Sequence, residues 1–162
     1  MRVLGIDPGM AACGYAVVDA QGGRLTAVEH GWWRTSARQE PEQRLKLIFD
    51  LVSELISRHE PDSASLEESY VGADARSALS VGQARGVLLV ACASAELACT
   101  EYSPSTVKQA VCGYGRADKA QVGRMVTTIL RLEEPPKSDH ASDALAVAIC
   151  HALASPLLRA AG

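Results

Sequence analysis

The sequence predicts one α/β domain built on a five-stranded mixed sheet with helices against it. Three observations carry that expectation. First, three apolar runs follow one another through short turns at the start of the chain, the pattern of an antiparallel meander. Second, an amphipathic helical stretch then separates the third run from a fourth, and a helix between two strands of one sheet implies a crossover and parallel pairing. Third, the first and fourth runs both end in carboxylates, Asp7 and Glu67, and open α/β sheets keep their sites at the carboxyl ends of strands.

Each element has its own signal. Arg2–Asp7 is apolar up to Pro8-Gly9, which cannot continue a ladder and supplies a turn. A second run spans Gly14–Asp19 and a third Arg24–Trp33, joined by the hairpin signal Gln21-Gly22-Gly23. Gly31 reads as a bulge. Residues 34–43 are polar and read as a loop. Leu45, Ile48, Phe49, Val52, Leu55 and Ile56 then recur at helical spacing, and the helix stops near His59, before Pro61. Ser63–Glu67 is the fourth strand. A helix rich in small residues follows over about 76–97, then a short strand, Cys99–Tyr102. Ser103-Pro104 caps a helix that runs to about Val111. Asp118 and Gln121 form a capping box ahead of Val122, Met125, Val126, Ile129 and Leu130. Ser138 caps a last helix running through Leu153. The domain is expected to occupy 1–155 and a short tail 156–162.

Composition bounds the class. The chain has 162 residues, 48% hydrophobic and 22% charged, ordinary for a globular domain. No unbroken apolar run approaches the ~18 residues of a membrane span. The N-terminus begins directly with a strand and lacks a basic region before an apolar stretch, so a cytoplasmic protein without membrane partners is expected. Five cysteines without a CxxC spacing read as reduced core thiols. The net charge of −3 does not announce a nucleic-acid binder, yet residues 71–131 carry 7 basic against 4 acidic residues, while both flanks are acidic.

The chemistry lies in the acids. With strands 1 and 4 as parallel neighbours, Asp7 and Glu67 emerge at one edge. The last helix adds His140 and Asp143, which share a face at i and i+3, whereas Asp139 points about 100° away. Taken singly, each has an ordinary reading: a turn acid, a solvated strand end, a cap, a first-turn helix acid. Together they would repel one another unless divalent cations resolve the repulsion. Mg²⁺ takes hard oxygen ligands, and two such ions ~4 Å apart can clamp the attacking and leaving oxygens of a phosphodiester.

Five stretches extend this reading: Gly5-Ile-Asp7-Pro-Gly9, Leu66-Glu67-Glu-Ser-Tyr70, Gly82-Gln-Ala-Arg-Gly86, Val107-Lys108-Gln and His140-Ala-Ser-Asp143-Ala-Leu-Ala. In order and spacing, over roughly residues 1–153, they resemble the RuvC family of Holliday junction resolvases. The resemblance implies an RNase H-like fold, a homodimer, and two-metal hydrolysis of four-way DNA junctions without a protein nucleophile. It further implies 5′-phosphates at two paired nicks, a preference for a short thymine-rich sequence, and work alongside a RuvAB branch-migration motor. By motif match Asp7, Glu67 and Asp143 are the metal-binding carboxylates. Glu67 is preferred to Glu68 because the matching acid directly follows the apolar residue. The fourth position departs from the best-known pattern, Asp-x-x-Asp, by carrying His140. A nitrogen ligand there favours Mn²⁺ relative to an all-carboxylate site, so the cofactors are Mg²⁺ or Mn²⁺ with neutral His140 completing the site. Asp139 is the weaker alternative on helical direction.

Substrate handling falls to other residues. Tyr70 matches an aromatic that wedges at the crossover, and a tyrosine there can stack on an unpaired base. Lys108 and Lys119 match lysines near the scissile phosphate and can steady developing charge. Arg76 and Arg116 are further phosphate-directed cations. Arg85 is open between a phosphate contact and a structural pair. The helix over 76–97 is the candidate dimer surface. Two other classes compete: a non-catalytic junction-binding module, which His140 would permit by spoiling the metal site, and an ATP-handling protein of the actin-like kinase fold. The latter needs a second glycine-rich phosphate loop and about twice the length.

Overall fold

In a computed structural model, the structure of the chain is described for residues 1–68 and 75–160, with side chains through residue 154. Strands β1 (Arg2–Asp7), β2 (Ala12–Gln21) and β3 (Arg24–Arg34) form the meander. Gly22 and Gly23 both take positive φ, 57° and 79°, so the β2–β3 hairpin closes through the primed turn that suits the twist of the strands. Helix α1 (Pro41–His59) leads to β4 (Ser63–Glu67), helix α2 (Ala75–Ser94) to β5 (Cys99–Tyr102), and α3 (Pro104–Cys112), α4 (Lys119–Leu130) and α5 (Asp139–Ala160) complete the order.

The sheet runs β3-β2-β1-β4-β5. β1 pairs antiparallel with β2 and parallel with β4, and β4 pairs parallel with β5. β1 is therefore central and buried on both faces, as its near-continuous apolar sequence requires. Leu4, Ile6, Val17, Ala64 and Leu66 pack against α1 and α2 on one face. Val3, Ala16 and Val18 pack against α3, α4 and α5 on the other. The result is three layers.

Several boundaries differ from the sequence reading. α1 starts at Pro41, inside the polar stretch read as a loop, because proline at the first helical position lacks only a donor that has no partner there. α2 stops at Ser94, where Glu96 adopts φ 54° and the Leu97 amide closes back on the Cys92 carbonyl. α5 continues past Leu153 to Ala160 with Pro156 inside it, where the ring removes one intrahelical donor. The irregularity in β3 does not fall at Gly31. The register shifts opposite Val17 and Val18, leaving Val28 as the extra residue, while Gly31 stays in register facing Tyr15. A Cβ on Gly31 would lie 2.8 Å from the Tyr15 hydroxyl, so that glycine makes room for an aromatic ring.

Candidate active site

Parallel pairing sets Ile6 opposite Leu66, so the next residues, Asp7 and Glu67, leave the sheet side by side at one edge. Alternation places Val3, Gly5 and Asp7 on the face that α5 covers. The same face of β4 carries Ser63, Ser65 and Glu67, and the buried Ser65 hydroxyl donates to the Val147 carbonyl at 3.3 Å. Two glycines let α5 lie against the strands. A Cβ on Gly5 would stand 2.2 Å from the Ala144 carbonyl oxygen, and one on Gly14 would stand 2.0 Å from that of His140. Neither distance is sterically possible, so a side chain at either position would lift the helix away. The sequence reading missed both positions, although a glycine inside an apolar strand is the ordinary signal for close backbone approach.

The first turn of α5 thus sits over the end of β1. His140 Nδ1 lies 2.7 Å from Asp7 Oδ2. Asp143, one turn on, accepts from Lys119 Nζ at 3.3 Å, and the same ammonium lies 3.9 Å from Asp139. Lys119 begins α4, whose start is fixed by the capping box between Asp118 and Gln121. Burial raises the pKa of Asp7, against the hydrogen bond from His140 that lowers it. Glu67 is pushed up to about 7, chiefly by burial and then by the charges of Asp143 and Asp7, with Lys119 and Lys108 opposing. These mutual effects place the three carboxylates and both lysines in one electrostatic unit.

Among the described residues, no three acid, histidine or cysteine side chains are arranged as a ready cage for an ion. The acids meet their repulsion from within instead: His140 answers Asp7, Lys119 answers Asp143, and Glu67 is poised to carry a proton. Such a donor set suits a divalent cation, because hard carboxylate oxygens that hold protons or pair with ammonium groups release them to a stronger positive charge. Asp139 is 81% exposed on its side chain and turned out towards Lys119, so it does not join Asp7.

The other candidates separate. Lys108, half-buried on α3, contributes to the field at Glu67. Arg116 is exposed between α3 and α4, and Arg76 is exposed in the first turn of α2. Tyr70 lies outside the described residues. Arg85 resolves as a structural pair, its Nη2 donating to Glu101 Oε2 at 2.5 Å and tying α2 to β5. All five cysteines are free thiols, as expected.

A family model described as Crossover junction endodeoxyribonuclease RuvC matches residues 3–151. The chain belongs to the RuvC family. Curated relatives carrying that description include those of Heliobacterium modesticaldum, 51% identical over 93% of both chains, and Moorella thermoacetica, 48% identical over 96% of this chain and 93% of the relative. Among solved structures, Thermus thermophilus RuvC superposes with a TM-score of 0.89 at 35% identity, covering 97% of this chain and 96% of that one. A second structure of T. thermophilus RuvC, in complex with a Holliday junction substrate, gives 0.89 at 33% identity. The fold is RNase H-like, and the RuvC family comprises divalent-metal-dependent nucleases. The actin-like kinase reading ends here.

Proposed function

We propose that this RuvC-family endonuclease resolves Holliday junctions by paired, metal-dependent nicks, with Asp7, Glu67, Asp143 and His140 as its metal-binding set. One observation carries the reading: two strand-end carboxylates and the first turn of α5 converge at a single sheet edge, with His140 2.7 Å from Asp7. Divalent cations held there would supply Lewis-acid activation of water and neutralise charge at the scissile phosphate.

The chain's own residues do the rest. Asp7, partly buried at the end of the central strand, is the fixed member of the set. His140 orients Asp7 and offers a nitrogen donor, which favours Mn²⁺ over Mg²⁺. Lys119 leaves Asp143 for the incoming phosphate, and Lys108, beside Glu67, stabilises charge that develops on the transferred group. Arg76, Arg116 and Tyr70 hold the junction beyond the scissile bond. One nuclease domain spans 1–155.

A homodimer supplies the second site that two symmetric strands require. Helix α2 supports it. By length and composition alone this helix would pass for a membrane span. It nevertheless carries Arg76 and Arg85, buries Ala84, Leu88, Ala91 and Cys92 against the body of the domain, and exposes Leu79 and Val90. An apolar face of that kind on a cytoplasmic protein is suited to a second copy of itself. A RuvAB motor completes the setting.

The test is incubation of labelled four-way junctions with Mn²⁺, with Mg²⁺ and with chelator. Paired symmetric nicks that need the cation, faster with Mn²⁺, are expected. Binding without nicks would favour the junction-binding module. Equal rates with both cations, together with an active His140→Ala variant, would remove the role given to His140.

A further inference from the structure

Helix α4 and the start of α5 enclose a groove of about 730 Å³ that none of the assigned site residues but Lys119 touches. Its lining includes Ala120, Gly123, Pro135 and Pro136 together with the cations Lys119 and Arg124. The groove adjoins the active site through Lys119, which lines it and whose ammonium lies 3.3 Å from Asp143. Asp139 is the single acid of the lining, and Lys119 stands 3.9 Å from it.

Gly123 adds an independent observation. It lies inside α4, where glycine costs roughly 1 kcal/mol relative to alanine. Packing does not demand it, since a Cβ there would meet nothing nearer than the Ser142 hydroxyl at 3.8 Å, an ordinary contact. The missing side chain leaves the groove open at that position of its lining. Lys119 and Arg124, five residues apart on α4, are about 7.5 Å apart along the helix axis and about 140° apart around it, so they reach the groove from different sides of the helix. Apolar lining for sugars, with two cations against one acid for phosphates, fits a nucleic-acid strand better than a folded protein surface.

We propose that the α4–α5 groove is a second DNA-backbone subsite, taking the strand beyond the scissile phosphate, with Arg124 as its distal phosphate contact. The inference rests on the junction-nuclease reading and extends the interface to a residue outside that site. Phosphate contacts of this kind position a strand without reading its sequence.

The experiment measures binding of a labelled four-way junction in chelator, across a salt series, for the full-length parent, Arg124→Glu and Gly123→Met. Arg124→Glu should weaken binding at least ~5-fold near 0.1 M salt and lower the log–log salt slope by about one. Gly123→Met should weaken binding a few-fold by filling the groove, with the slope retained. Its melting temperature should stay at or above the parent's, because methionine is the better helix former. Parental affinity and slope in both variants would overturn the subsite and leave the groove to a protein segment. A parent that binds no junction at all would overturn the functional reading instead.

Discussion

Helix α5 carries two histidines eleven positions apart, about three turns, so they share one side of the helix. His140 stands at the sheet's carboxyl edge with 46% of its side chain exposed, 2.7 Å from a catalytic candidate. His151 is 5% exposed, with Nδ1 2.9 Å from the Tyr102 hydroxyl and Nε2 3.0 Å from that of Ser63. Residue type, helix and face are the same. What differs is the partner. His140 meets a carboxylate at an open edge, where substrate and cations have access. His151 meets two neutral hydroxyls inside the packed layer, where both ring nitrogens are satisfied and nothing else can reach. Burial lowers the His151 pKa, so the folded core holds the neutral imidazole. The chemistry of this fold belongs to the sheet edge, not to the helix.

If that contrast holds, substitutions along α5 and β1 should divide cleanly between activity and stability. The largest effect on activity belongs to Asp7. Asp7→Asn should reduce junction cleavage by more than about 100-fold, beyond the 10–100-fold typical of residues that only support a metal ligand. Junction binding and melting temperature should change little. Gly5→Ala should damage both properties, since its Cβ would meet the Ala144 carbonyl oxygen. A cost of about 2 kcal/mol or more in denaturant unfolding, with a fall in cleavage, would mark the helix as lifted from the strands. His140→Ala should lower cleavage about 10–100-fold while leaving the unfolding midpoint in place.

At the buried end the signs reverse. His151→Gln should leave cleavage by the folded protein unchanged and cost about 1 kcal/mol of stability above pH 7. Because the folded-state pKa of His151 is depressed, its contribution is fully present above the unfolded value of about 6.5 and is lost as pH falls below it. Thermal melts between pH 8 and 5 should therefore show an acid limb in the parent that is shallower in His151→Gln. An equally steep limb would mean that other groups drive the acid sensitivity. The smallest effect is that of Lys108→Ala, which should lower the salt slope of junction binding by about one without altering the melt. An unchanged slope would count against a phosphate contact.

Much of this architecture is legible in the sequence alone. Continuous apolar runs ending at Pro8 and at Glu67 determine where β1 and β4 deliver their acids, because a strand buried on both faces stops where its polar residues begin. The capping box at Asp118 locates the start of α4 and with it Lys119. Other features depend on contacts between distant segments, which no local pattern encodes. The closeness of α5 to β1 rests on the absence of Cβ atoms at Gly5 and Gly14, and the role of Arg85 is set by the packing of α2 beside Glu101. The irregularity in β3 sits at Val28 for a similar reason: Gly31 is taken up by the Tyr15 ring.

The most direct test compares parent and Asp7→Asn on a labelled four-way junction at saturating protein with Mn²⁺, reading strand nicks on a denaturing gel and binding in parallel. Paired nicks from the parent, and a bound but uncut junction with Asp7→Asn, are the predicted result. Nicking by Asp7→Asn near the parental rate would show that the chemistry lies elsewhere than at the carboxyl end of β1.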